Sequence, residues 1–532
     1  MKKSLLFALI LGFTSPLLAA PAPQSLPAKT RAQIEALLRH PGIQSAHIGL
    51  AVVALGSAKT PAQFPATHYD GYAQPLLFGR DEQKRFTPAS NFKLFTAAWA
   101  LQQLGPNAVF TTRVVETKPL ATRPGAWPVG VPYPGIATLY GDGDPSLSSA
   151  DLATLAKEIA AQKPGALIVR ASEALFPKGE MNAEEGGGRY PEGWTLDDLT
   201  WYYGPPVGAL ALNRNQVDLT LTGAASVGDA ALVASSPEAP FPIFAPVITV
   251  QKGDPRAGEL QWTRGDNASA LGQTLSISGF LAPGQSQTEG VAVPDPRAWA
   301  QSVLDASLRE NGVQVVEPEG FYGQKDGVVI ASHDSPPFST LLQRFLKNSD
   351  NLYGEMLLRR AAISLPADPL KNADGTPFVA PKNPQISSSG MAARAHGAMF
   401  AWLKQSGVPT AGLRLSDGCG LSRYNLVTPI SVARLLGAAE KIGGGAAFYS
   451  ALPIAGVDGT LRNRMKGTAA EKNARAKTGS FSTVSTLSGY VTTRDGQRLA
   501  VSLLTNFADG DLSRRFQNRV FATLAAANFS AK

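Results

Sequence analysis

The sequence predicts a mixed α/β (α+β) protein in which two helix-and-sheet segments flank a β-rich insert. Three observations predict it. Helical spacing and short apolar strands occur together towards both ends of the chain. Between residues 107 and 296, short β-like runs alternate with Gly- and Pro-rich turns. The 532 residues, 44% hydrophobic and 17% charged, can fill about three to four domains, or one domain with large insertions.

The first twenty residues read as a secretory signal peptide. Lys2 and Lys3 precede the apolar run Leu5–Leu11, and small residues follow at Ala19, Ala20 and Ala22. Cleavage is expected between 19 and 22, with the bond left open because proline, here Pro21 and Pro23, is unfavourable just after a cut. The run is too short to span a bilayer, and no later run reaches about twenty apolar residues. The mature chain is therefore expected to be soluble and exported to the periplasm or cell envelope, with no transmembrane segment. The formal charge is +8, and +6 without Lys2 and Lys3. That reads as a solvated, mildly basic surface, suited to anionic envelope polymers. No basic cluster is interleaved with aromatics, so nucleic acid is not an expected partner.

Taken in order, Thr30–Gln33 resembles a capping box, and Ile34, Leu37 and Leu38 follow at helical spacing. His47–Leu55 is a short apolar run bounded by turns, a buried strand, and Gln74–Phe78 is a second. Thr87–Leu104 is rich in helix formers and stops at Gly105-Pro106, which puts Ser90 in its first turn. Within the insert, Ala209–Thr222, Val247–Gln251 and Thr274–Leu281 are the clearest strands. Helical spacing returns at Arg297–Glu310, Phe338–Arg360 and Pro429–Lys441. A hairpin, Leu487–Thr493 and Arg498–Asn506 about the turn Asp495-Gly496, leads to a last amphipathic helix from Asp511 with Phe516, Val520 and Leu524 on one face.

Several chemistries are excluded early. Cys419 is the single cysteine, so there is no internal disulfide, Cys-cluster zinc site or CxxC motif. The five histidines (His40, His47, His68, His333, His396) form no H-E-x-x-H and read as surface or satisfied core residues. No G-x-S-x-G occurs, so the α/β-hydrolase nucleophile elbow is absent. Asp142-Gly-Asp144-Pro-Ser146 has the start of a calcium loop but lacks its glycine at position six and its distal glutamate. No metal is expected.

A serine–lysine pair remains. Ser90-Asn-Phe-Lys93 is the one S-x-x-K in the chain, and residues i and i+3 share a helix face. Lysine acts as a base only when burial or a nearby cation lowers its pKa. Ser349-Asp350-Asn351 is the one S-x-N: its hydroxyl could relay a proton to a leaving amine, and its amide could hold a carbonyl or the lysine. Lys477-Thr478-Gly479-Ser480 is the one K-T-G, with groups suited to a carboxylate and a glycine that admits a close backbone approach. Singly, each has a plain reading as a helix start, a cap or a turn. Together and in this order they do not.

These motifs are the set of penicillin-binding proteins and class A β-lactamases. With their flanks, Pro88–Leu94, Lys347–Asn351, Asp417-Gly-Cys-Gly-Leu-Ser-Arg423 and Ala476–Ser480, the chain closely resembles the class C low-molecular-mass penicillin-binding proteins, the D-alanyl-D-alanine carboxypeptidase/endopeptidases. Leu452–Thr460, Gly141–Pro145 and Leu210–Asn213 are similar to further family segments. The 259 residues between Ser90 and Ser349 exceed what a class A β-lactamase allows, and this family inserts domains there. The resemblance implies a transpeptidase/β-lactamase-like domain from residues 24–106 and 297–532, an antiparallel sheet with helices, interrupted by the β-rich insert 107–296.

It further implies a serine-type hydrolase that forms a Ser90 acyl-enzyme with peptidoglycan stem peptides or cross-links and takes β-lactam antibiotics as covalent inhibitors. Lys93 would be the base, Ser349 the proton relay, and Asn351 would orient substrate and Lys93. Lys477 would help depress the Lys93 pKa and, with Thr478, bind the terminal carboxylate. Backbone N–H groups of Ser90 and Ser480 would hold the oxyanion, with Gly479 between. Arg423 and Asp144 would face the stem side chain. No cofactor is implied. Cys419 stands where the family usually has Ser, and Gly354 where Ala is common. Alternatives are a β-lactamase, for which no dedicated deacylation carboxylate is evident, a non-catalytic peptidoglycan- or penicillin-binding module, and a secreted esterase. Carboxypeptidase versus endopeptidase preference, the third stem residue and oligomeric state are left open.

Overall fold

The structure, a computed structural model, describes residues 25–57, 75–121, 133–176, 190–264, 274–317, 321–365, 385–386 and 390–530. The expected signal peptide and His68 lie outside the described residues. Among those described, no helix is long and apolar enough to cross a membrane.

The two ends of the chain build one sheet. His47–Ser57 pairs antiparallel with Gln497–Asn506, and the full spatial order is Arg475–Phe481, Val484–Thr492, Gln497–Asn506, His47–Ser57, Leu76–Arg80. All four pairings are antiparallel. Alternation along the strand sends Ala51 and Val53 to one core and Leu50 and Val52 to the other. The first core holds the helices Lys93–Leu104 and Pro429–Ala439; the second holds Ile34 of Ala28–Leu38 and Phe516, Val520 and Leu524 of Gly510–Ala525. With both faces covered, a central strand needs no polar face, which is why His47–Leu55 reads as an unbroken apolar run. Arg475–Phe481 is left on an edge.

The expected capping box at Thr30 does not form. The helix begins at Ala28 behind Pro27, with no side-chain cap, and Thr30 is buried in its first turn. Pro27, at the N-cap with an extended ψ of 139°, marks the boundary instead. The long helix expected at Phe338–Arg360 is two, Phe338–Lys347 and Asn351–Ile363, broken at Ser349 with φ 62°.

The insert is not uniformly β. Gly135–Tyr140 and Leu167–Ser172 are parallel neighbours, and Ser149–Ala161 runs between them behind a complete Ser148/Asp151 capping box. The expected strand Ala209–Thr222 is a strand only from Gln216. Pro296–Glu310, assigned by the sequence to the flanking domain, packs elsewhere: Trp299, Ala300, Leu304 and Leu308 share a core with Leu152 and Leu155 of the insert. Phe321–Asp334 likewise pairs with Thr111–Ala121. Burial of its apolar face, not sequence position, decides where an amphipathic helix belongs.

Candidate active site

The nucleophile turn is made locally. Ala89 takes φ 46°, Ala89–Phe92 forms a single 3-10 turn, and the α-helix Lys93–Leu104 starts directly after it. Lys93 Nζ then lies 2.9 Å from Ser90 Oγ. The amine end is fully buried, 2.5 Å from Asn351 Oδ1 and 2.7 Å from the Cys419 carbonyl. Burial lowers the Lys93 pKa, against the opposing pull of the acidic groups nearby, among them Asp417, Asp350 and Glu355. A neutral amine has two N–H groups and one lone pair. With two carbonyl oxygens accepting the N–H groups, the lone pair is left for the Ser90 hydroxyl.

The break between the two helices delivers the second motif. Asp350 caps Asn351–Ile363 by accepting from Tyr353 N at 3.3 Å, so Ser349 and Asn351 emerge at a helix start, not mid-helix. Ser349 Oγ is 2.9 Å from Lys477 Nζ. Asn351 Nδ2 donates to the Tyr203 carbonyl at 2.7 Å, which fixes its amide with Oδ1 towards Lys93. Lys477 is fully buried, and burial first, then the charge of Lys93, pushes its pKa well below the ordinary lysine value. The repulsion is felt at Lys477; at Lys93, burial is the main cause.

Gly479 lets the edge strand meet the nucleophile turn. A Cβ there would sit 2.8 Å from Ser90 N, 2.8 Å from Pro88 O and 2.4 Å from Thr486 Oγ1. Gly479→Ala should therefore displace the strand from the Ser90 N–H and slow acylation by a β-lactam by on the order of 10²-fold, the cost of losing one oxyanion donor. Stopped-flow acylation rates check it; a rate within threefold of wild type would contradict the close approach.

Asp417 organises the loop that supplies the Cys419 carbonyl. Its Oδ1 accepts from Gly420 N and Asn425 Nδ2, both at 2.6 Å, and from Cys419 N at 3.2 Å. Its Oδ2 accepts from Ser422 N at 2.6 Å and Trp194 Nε1 at 3.0 Å. Glu355, Asp417 and Cys419 cluster closely enough to suggest a metal set. Their donors are committed, however: Glu355 accepts from Gly418 N and pairs with buried Arg359 at 2.8 Å. His396, within 3.2 Å of the Asp417 carbonyl, is held neutral by burial, its pKa pushed down to about 4.

Ser90, Ser349, Asn351, Thr478, Ser480 and Arg423 line one cleft of about 500 Å³. Thr478 Oγ1 donates to Thr460 Oγ1 at 2.8 Å on its wall. Arg423 is ion-paired to Asp198 and stacks over Phe481 at 4.6 Å. Asp144, expected beside Arg423, is not on the cleft. It is buried and accepts from Ser146 N and Oγ at 2.8 and 2.6 Å, a turn-closing role. Asp142 likewise is used by Thr111 N and Arg360. Asp198, Tyr203 and Arg214 are cleft residues that sequence reasoning did not reach. At Asp198 the only local cue is a Thr195–Asp198 cap, which says turn and nothing more.

Residues 30–527 match the family model of the D-Ala-D-Ala carboxypeptidase 3 (S13) family. The chain belongs to the S13 family. It is 31% identical over 517 residues, 93% of this chain and 84% of the relative, to a D-alanyl-D-alanine carboxypeptidase of Actinomadura sp. (strain R39). It is 26% identical, over 70% of this chain and 72% of the relative, to the D-alanyl-D-alanine carboxypeptidase DacB of Haemophilus influenzae. The fold is shared with penicillin binding protein 4 (dacB) of Haemophilus influenzae: TM-score 0.70, 22% identity, covering 92% of this chain and 99% of the other.

In this S13 chain the two departures from the family pattern touch each other. A Cβ on Gly354 would lie 3.0 Å from Cys419 Cβ and 2.9 Å from the Gly418 carbonyl. Cys419 Sγ is 3.5 Å from Asp417 Oδ2 and 3.4 Å from Leu421 N, so the thiol occupies a hydrogen-bonding position. Burial raises its pKa well above the ordinary thiol value, which keeps it protonated and inert.

Proposed function

We propose that this chain is an exported serine D-Ala-D-Ala carboxypeptidase or endopeptidase of peptidoglycan stem peptides and cross-links, working through a Ser90 acyl-enzyme that β-lactams trap. The observation that carries the reading is the buried Lys93 Nζ, 2.9 Å from Ser90 Oγ and held by Asn351 and the Cys419 carbonyl. Neutral Lys93 takes the Ser90 proton as Oγ attacks the carbonyl, and the Ser90 and Ser480 N–H groups hold the oxyanion. Ser349, kept by Lys477, hands a proton to the departing amine, while Thr478 with Lys477 takes the terminal carboxylate. Water then releases the acyl group.

Arg423, ion-paired to Asp198 on the cleft, would meet the side chain of the stem. The segment around Lys2, Lys3 and Leu5–Leu11 would direct export to the periplasm or cell envelope. We divide the chain into a catalytic domain from both ends and an insert that extends to Asp334, because Phe321–Asp334 pairs within it.

The test is mass spectrometry of the mature protein after labelled penicillin, beside Ser90→Ala. A long-lived adduct on the Ser90 peptide, absent from the variant, is expected, followed by D-Ala release or dimer cleavage on purified muropeptides. Rapid turnover of the drug would point to a β-lactamase. An adduct without any muropeptide cleavage would point to a binding module. Folded protein that takes no adduct would overturn the Ser90 assignment.

A further inference from the structure

Asn213, Arg214 and Asn215 are three consecutive non-glycine residues with left-handed backbones, φ 47°, 61° and 56°. Single residues visit this region; three in a row persist only where the surroundings over-determine them. Here the two asparagines do so. Asn213 exchanges hydrogen bonds with Ser149 N and Oγ at 3.0 and 2.7 Å, and Asn215 bonds Leu212 N and Pro206 O at 3.0 and 2.9 Å. Arg214 has no such local duty. The turn holds it out between two cavities, and it lines both.

One cavity is the Ser90 cleft. The other is an open chamber of about 290 Å³ with mixed polar and apolar walls, which include Ser146, Ser148, Gln216, Asp218, Arg344 and Tyr353. Gln216 is 8% exposed, its Nε2 donates to Asp218 Oδ1 at 3.1 Å, and among the described residues its Oε1 has no hydrogen-bond partner. A buried, unmatched acceptor on a chamber wall is costly unless something donates to it. The charges point the same way. Arg214 and Arg344 approach a single oxygen of Asp350 at 3.5 and 3.9 Å. One carboxylate oxygen at those distances leaves most of the ten N–H donors of two guanidiniums unengaged by it.

We propose that Arg214 and the chamber behind it form a subsite for the second peptide strand of a cross-linked substrate, with Arg214 taking a carboxylate of that strand. This rests on the acyl-transfer reading above. The departing amine leaves past Ser349, and the next residue, Asp350, is the one Arg214 touches. Ser349 and Arg214 line the same cleft, so a strand continuing from that amine along it comes within reach of Arg214. The guanidinium fork suits a carboxylate, and Gln216 Oε1 suits a peptide N–H. A single stem ends at its released D-alanine and reaches neither, so the chamber favours cross-links over free stems.

The experiment compares kcat/KM for a purified cross-linked muropeptide dimer and for the monomeric pentapeptide, in wild type, Arg214→Gln and Gln216→Leu. Expected is a fall of about tenfold in the dimer-to-monomer ratio for Arg214→Gln, carried mainly by KM, with partial recovery in Arg214→Lys. Gln216→Leu, which does not touch Asp350, should lower the same ratio. Parallel loss on both substrates would mean that Arg214 only braces Asp350, and an unchanged ratio in both variants would mean that the chamber binds nothing; either overturns the proposal alone. Wild-type protein that cleaves neither substrate would overturn the acyl-transfer reading and this proposal with it.

Discussion

Lys93→Met is expected to slow acylation of Ser90 by penicillin by on the order of 10⁴-fold or more, the scale on which removing one member of a nucleophile–base unit acts. Methionine is unbranched, one atom shorter than lysine, and suits a site with no solvent exposure, so the protein should remain folded. What it lacks is the basic amine nitrogen 2.9 Å from Ser90 Oγ. The pH dependence supplies a second readout. The reactive form is the neutral amine, and burial lowers the Lys93 pKa from 10.5. Wild-type acylation should therefore rise with pH through a limb lying below the ordinary lysine value. Lys477, pushed down by burial and then by the Lys93 charge, contributes to the same limb. Stopped-flow acylation against pH checks both points. A limb that survives unchanged in Lys93→Met would assign the base elsewhere.

Asp417→Ala should cost about 4 kcal/mol of folding stability or more, a magnitude that the loss of a buried hydrogen-bond network can reach. The carboxylate is buried and accepts from Cys419 N, Gly420 N, Ser422 N, Asn425 Nδ2 and Trp194 Nε1. Alanine leaves these donors unpaired, at about 1–3 kcal/mol for each that water cannot reach. The same change frees the loop that aims the Cys419 carbonyl at Lys93, so acylation should fall as well. Denaturant midpoints, with penicillin labelling of the folded fraction, measure the two effects. A loss below about 1 kcal/mol would mean that the network relaxes and that Asp417 does not organise the loop.

Much of the catalytic part could be read before any coordinates. His47–Leu55 announced a fully buried strand, and Asp495-Gly496 placed a hairpin that pairs as Val484–Thr492 with Gln497–Asn506. Both signals are local. Apolar periodicity and turn chemistry depend on neighbours within a few residues. Ser349 shows where that reach ends. The helical spacing from Phe338 to Arg360 is continuous, and nothing in it betrays the left-handed residue that splits the helix and turns Ser349 and Asn351 towards the two lysines. Asp144 shows the opposite error, since a short polar turn can resemble a site and merely close on itself.

By itself, the sequence determined the chemistry of this protein: a serine, a lysine and their supporting motifs, each unique in the chain and in the order that penicillin-binding proteins and class A β-lactamases share. Reaction type follows from residue identity, and identity is all a sequence holds. The tertiary structure alone decided which groups share the cleft and which faces of the insert meet the catalytic motifs. Asp198 reaches Arg423 across 225 residues, Tyr203 reaches Asn351 across 148, and Arg214 reaches Asp350 across 136. Contacts at such separations are formed by packing apolar faces together, which no local pattern records.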